Sequence, residues 1–89
     1  MIQKKVLIIN KLGLHARAAA KFVGCAASFS STIKVSKADQ LVDGKSIMSV
    51  MMLAAGKGSE LELQIDGKDE EAAVEAMITL INDRFGEEE

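Results

Sequence analysis

Proline, tryptophan and tyrosine are absent from this 89-residue chain, and cysteine and histidine occur once each. Each absence narrows the field. With only three phenylalanines for aromatics, the core must be built from Ile, Val, Leu, Met and Ala. A chain without proline suits a fold with few long loops. Cys25 has no second thiol for an intramolecular disulfide, which suits a reducing cytoplasm. It has no Cys or His at metal-ligand spacing, so it reads as a small, partly buried residue of an apolar helix, and no metal is expected. Nowhere do about 18 apolar residues run together, so no membrane span is expected. The run Val6-Leu7-Ile8-Ile9 is too short for a secretory signal. Eleven basic residues against thirteen acidic ones form no basic stripe with interleaved aromatics, which argues against nucleic acid as a partner. The tail Glu87-Glu88-Glu89 is acidic.

What is present fits one domain over residues 1–89. A domain of this size buries roughly 60–65% of its unfolded surface, enough for one modest core. Lys4 to Ile9 is short and rich in β-branched residues and reads as a strand. Ala16 to Ala27 reads as a helix, with Ala19, Phe22, Val23 and Ala26 on one face. Thr32 to Lys37 alternates as a strand, and Ala38-Asp39 turns it into a second strand, Gln40 to Val42. Asp43-Gly44 turns the chain again. Ser46 is placed to cap a short helix from Ile47 to about Leu53, stopped by Gly56-Lys57-Gly58. Glu60 to Ile65 is the cleanest strand, with Leu61, Leu63 and Ile65 on its dry side. Asp69 is placed to cap a last helix running to about Arg84, whose inner stripe is Ala73, Ala76, Met77, Leu80 and Ile81. The order β-α-β-β-α-β-α, with short connections and one-sided strands, predicts an α+β sandwich: an antiparallel sheet with helices on one face.

The single histidine is the most informative residue. His15 lies in Gly13-Leu14-His15-Ala16-Arg17 and opens the alanine-rich helix. A helix start presents unpaired backbone N–H groups and the positive end of the helix dipole, which together attract anions. Such an end disfavours imidazolium, so a histidine there reads as a neutral nucleophile. Arg17 can neutralise an anion attached to the ring. The bland alternative is a solvated or hydrogen-bonded histidine with no role. Ser46 likewise has a bland reading as an N-cap. Gly44-Lys45-Ser46 is not a phosphate-binding P-loop, because that motif needs glycine five residues before Gly44 and the chain has Asp39 there. A short helix cannot bury all of Ile47, Met48, Val50, Met51, Met52 and Leu53 on one side, so some of these apolar residues face outward.

The order of elements, the segment Gly13-Leu14-His15-Ala16-Arg17 and the segment Gly44-Lys45-Ser46-Ile47-Met48 together resemble the histidine-containing phosphocarrier (HPr) family of the bacterial phosphotransferase system. The resemblance covers essentially the whole chain. It implies an open-faced sandwich whose four-stranded antiparallel sheet has the order 1-4-2-3, with three helices on one face. It implies that His15 takes a phosphoryl group on Nδ1 from Enzyme I, itself charged by phosphoenolpyruvate, and passes it to A components for sugar uptake or regulation. Arg17 and the backbone N–H groups of Ala16 and Arg17 would hold the phosphate. Ser46 matches the regulatory serine modified by the HPr kinase/phosphorylase. Ile47, Met48 and Met51 match a partner-docking surface, a task that flexible methionine suits. The chain would be a stoichiometric cytoplasmic carrier, not an enzyme, and would need no cofactor. Two positions depart from the family: Ala18 stands where proline is usual, and Leu12 where Ser or Asn is frequent. A purely regulatory protein controlled through Ser46 would not need the His15–Arg17 pair, and a small-ligand-binding domain would need convergent polar residues that the sequence does not offer.

Overall fold

Alternation along the strands decides which way the sheet faces. Leu61, Leu63 and Ile65 are buried while Glu60 and Asp66 at the strand ends are exposed. Ile33 and Val35 are buried while Thr32 and Lys34 are exposed. A period of two places one face against the core and the other in water. The computed structural model describes all residues from Met1 to Glu89. Its elements are β1 (Ile2–Leu7), α1 (Ala16–Ala27), β2 (Thr32–Lys37), β3 (Gln40–Asp43), α2 (Ile47–Met52), β4 (Glu60–Asp66) and α3 (Glu70–Asn82), followed by a short 3₁₀ turn at Arg84–Gly86. The four strands form one antiparallel sheet in the order β1-β4-β2-β3. Ile33 and Val35 lie opposite Ile65 and Leu63, so apolar side chains meet across the ladder. These residues join Ala18, Ala19, Phe22 and Ala26 of α1, Val50 of α2, and Ala73, Met77 and Ile81 of α3 in one apolar cluster. The result is the expected open-faced α+β sandwich.

Three details of element limits and faces differ from what the sequence predicts. The first strand runs Ile2–Leu7 rather than Lys4–Ile9, because its partner sets its length. β4 begins at Glu60, which pairs with Leu7, and Ile65 pairs back to Ile2. Ile8 is still bonded, but to the loop before β4, through Ser59 O (2.9 Å) and Gly58 N (2.8 Å). The last helix ends at Asn82, short of Arg84. Arg84 and Phe85 both take φ of 55°, a left-handed conformation that no helix continues. Turned this way, Phe85 enters the core and is fully buried. Of that helix's expected inner stripe, Ala73, Met77 and Ile81 are buried, while Ala76 and Leu80 are half-buried at its border.

Asp69 stands at the N-cap position of α3 but its carboxylate does not cap the helix. It reaches across to the segment before β2. There it accepts the backbone N–H groups of Ser30 (2.9 Å) and Ser31 (2.9 Å) and both serine hydroxyls. The Ser31 hydroxyl and then the Ser30 backbone N–H hold its pKa down at about 2. Asp69 thus fastens the start of α3 to the β2 side of the molecule.

Candidate functional site

The loop between β1 and α1 owes its shape to Asn10 and Gly13. Asn10 is fully buried. Its Nδ2 donates to the Gly13 carbonyl (2.8 Å), and its own carbonyl accepts the Gly13 N–H (3.2 Å). Gly13 has φ of 64°, and a Cβ there would lie 2.4 Å from the Ala55 carbonyl oxygen, so only glycine fits. Leu14 then donates its N–H to that same Ala55 oxygen (2.8 Å) and packs into the core. The chain emerges at His15 with extended backbone (φ −70°, ψ 177°), the N-cap conformation of α1.

His15 caps through its backbone carbonyl, which accepts the N–H of Ala19 (2.8 Å), and not through its side chain. Ala16, Arg17 and Ala18 precede that first helical bond, so their N–H groups have no partner in the helix. Alanine at position 18 is fully buried and adds one N–H to this set. The imidazole, 27% exposed, turns its Nε2 onto the carboxylate of Glu87. The other oxygen of that carboxylate accepts Nδ2 of Asn10 (3.0 Å). Bonds from Asn10 first, and then from His15, hold the Glu87 pKa below the usual carboxylate range, and the charge of Arg17 adds to the effect.

Arg17 is exposed on the first turn of α1. It lines an open hollow with Lys11, Leu12, Lys21, Gly86 and the tail carboxylates Glu87, Glu88 and Glu89. The tail is anchored here by a backbone bond from Lys11 N–H to Glu89 O (2.9 Å), by the Lys11–Glu89 ion pair (3.3 Å) and by Lys21 Nζ on the Phe85 carbonyl (2.7 Å). Leu12 is 65% exposed and gives the ring no polar support. Glu87, which is not among the site residues expected from the sequence, touches the ring. The sequence shows an acidic tail, but no local pattern joins residues 72 positions apart.

Ser46 occupies the N-cap of α2, where its Oγ accepts the Ser49 N–H (3.4 Å). Val50 is the one fully buried residue of this helix, and Ile47 and Met51 are 41% exposed and Met48 70%. α2 packs against α1, so its exposed apolar residues belong to the helical side of the sandwich. Cys25 is half-buried on α1, and burial pushes its thiol pKa up, which makes it a poor nucleophile.

Comparison with known proteins gives the family and the fold. The chain is 55% identical over 89 residues to a phosphocarrier protein HPr of Cupriavidus necator, and 56% identical over 90 residues to one of Pseudomonas putida, with all of each chain covered in both cases. Its fold superposes on a crystal structure of HPr-C-His from Thermoanaerobacter tengcongensis with a TM-score of 0.96 at 46% identity, covering 100% of both chains. A phosphocarrier protein HPr from Bacillus anthracis gives a TM-score of 0.87 at 41% identity, covering 90% of this chain and 95% of that one. Residues 2–83 match the family model PTS-HPr, the PTS HPr component phosphorylation site. With this sheet order, these identities and that match, the chain belongs to the HPr family of phosphocarriers of the phosphotransferase system.

Proposed function

We propose that His15 is the phosphoryl acceptor, taking the group on Nδ1 from Enzyme I and handing it to A components of the phosphotransferase system. The observation that carries this reading is the orientation of the ring. Nε2 is engaged by Glu87, so Nδ1 is the nitrogen left for an incoming group. The unpaired N–H groups of Ala16 and Arg17 and the exposed guanidinium of Arg17 supply the donors a phosphoryl group needs. An open site suits a carrier, since a donor and an acceptor must both reach one histidine. The partners would complete the transfer geometry, and the chain would act stoichiometrically rather than as an enzyme. Ile47, Met48 and Met51 would form the surface on which partners dock. We further propose that Ser46 is phosphorylated by the HPr kinase/phosphorylase, and that the protein works in the cytoplasm. No helix of the chain is long and apolar enough to cross a membrane.

The test is incubation with Enzyme I and phosphoenolpyruvate, followed by mapping of the modified residue. The label should be acid-labile and alkali-stable, as a phosphoramidate is. His15→Ala should abolish it while leaving the thermal melt unchanged. Undiminished labelling in that variant would refute the assignment.

A further inference from the structure

We propose that Glu87 is a positioning residue for phosphotransfer: through its carboxylate on Nε2 it holds the His15 ring in the tautomer whose lone pair lies on Nδ1. The proposal rests on the phosphocarrier reading of His15 and deepens it. A carboxylate only accepts hydrogen bonds, so the imidazole nitrogen facing it must be the one that carries hydrogen. In a neutral ring this leaves the lone pair on Nδ1.

The chain invests unusual structure in bringing Glu87 there. Before Gly86, where glycine adopts φ of 78° freely, Arg84 and Phe85 take consecutive left-handed conformations, each with φ of 55°. Such backbone is held only where surrounding contacts over-determine it, and it clusters at functional sites. Here the contacts are the buried Phe85 ring and the bond from Lys21 to the Phe85 carbonyl (2.7 Å). Asn10 then fixes the far oxygen of the carboxylate (3.0 Å) while its own buried Oδ1 finds no partner. Nδ2 of this buried amide divides its two hydrogens between the Gly13 carbonyl (2.8 Å) and Glu87, so the side chain that shapes the histidine loop also fixes the carboxylate beside the ring. The remaining charges in the hollow are Lys11, Arg17 and Lys21 and the carboxylates of Glu88 and Glu89.

The transfer step balances without proton movement. The Nδ1 lone pair forms the N–P bond as the donor's leaving group departs with the electron pair that bound the phosphoryl group. Nε2 keeps its hydrogen, and the positive charge gained by the ring faces Glu87. On delivery an acceptor lone pair attacks phosphorus and the N–P pair returns to Nδ1. Glu87 therefore favours the nucleophile in one direction and stabilises the phosphorylated ring in between.

Glu87→Gln in the full chain separates this role from a structural one. Nδ2 of Asn10 donates, so it takes the glutamine carbonyl oxygen and leaves the glutamine amide NH₂ facing the ring. The ring nitrogen there must then accept, and hydrogen moves to Nδ1. Long-range ¹H–¹⁵N spectra of ring-labelled protein, recorded where the ring is neutral, should show mainly the Nε2–H form in the unaltered protein and the Nδ1–H form in Glu87→Gln. The turnover rate for phosphorylation by Enzyme I should fall roughly tenfold with KM unchanged, the size expected for one charge-assisted hydrogen bond. Glu87→Ala, which neither donates nor accepts, should give mixed tautomers and an intermediate rate. A tautomer ratio in Glu87→Gln equal to that of the unaltered protein, or a rate within about twofold of it, overturns the proposal. Mapping of the label away from His15 in the unaltered protein would instead defeat the carrier reading itself, so the two failures are distinguishable.

Discussion

Arg17 is exposed and lends its charge to the surroundings of Glu87, yet no side-chain bond ties it down. A guanidinium free to move can close on a phosphoryl group through two parallel donors, which an ammonium cannot reproduce. Arg17→Lys should slow phosphotransfer about tenfold and Arg17→Glu far more, a scale set by the loss of one charge-assisted contact in the transferring state. Melting temperatures should hardly move, because exposed ionic contacts contribute about 0–1 kcal/mol. Equal transfer rates in all three proteins would remove Arg17 from the site. Asp69 makes the opposite case: a charged residue whose work is structural. Its pKa is lowered from 3.8 to about 2 by the bonds from Ser31 and Ser30. A carboxyl group depressed by folding stabilises the fold above its unfolded pKa, and that contribution fades as pH falls through the folded value. Stability should therefore drop between pH 3.8 and about 2, and Asp69→Asn should flatten this part of a melting-temperature profile. A variant whose profile keeps the same acid limb would show that the latch does not matter.

Elements were read from the sequence wherever local pattern controlled them. The helix Ala16–Ala27 and the strand Thr32–Lys37 follow the residues as expected, and the turn Ala38-Asp39 sets the register that pairs Lys37 with Gln40. β1 slipped by two residues because strand limits depend on a partner. α2 shows both local and non-local control. Its N-cap at Ser46 is visible in sequence, but which of its apolar residues stay wet depends on how it lies against α1. A phosphate on Ser46 adds about −1.5 to −2 charges. Beside the first turn of a helix this is locally favourable by about 0.3–1 kcal/mol, so the melt of the isolated protein should stay level or rise slightly. The same charge sits next to exposed Ile47 and Met48, where a partner must displace water. Enzyme I should then phosphorylate His15 more slowly, and Ser46→Asp should act in the same direction more weakly. Unchanged kinetics in the phosphorylated protein would defeat the regulatory role. Slowed kinetics with a collapsed melt would trace the effect to misfolding.

At the scale of the whole molecule, the last six residues link the core to the histidine. Phe85 is fully buried, and Glu87 and Glu89 return to Asn10, Lys11 and His15. Phe85→Ala should cost about 3–5 kcal/mol, the usual loss for a deleted buried ring. A chemical-denaturation midpoint would show it, and a loss under about 1 kcal/mol would mean that the ring site collapses freely. The sequence by itself determined the strands and helices of this protein, the side of each strand that is dry, the helix-start histidine with its arginine, and the capping serine. These depend on period, propensity and capping, which act between near neighbours. The tertiary structure alone decided where β1 ends, that Asp69 serves the loop before β2 rather than its own helix, and that Glu87 meets His15. The first rests on sheet pairing, and the other two join residues 39 and 72 positions apart, the last through the left-handed Arg84 and Phe85 that no local pattern announces.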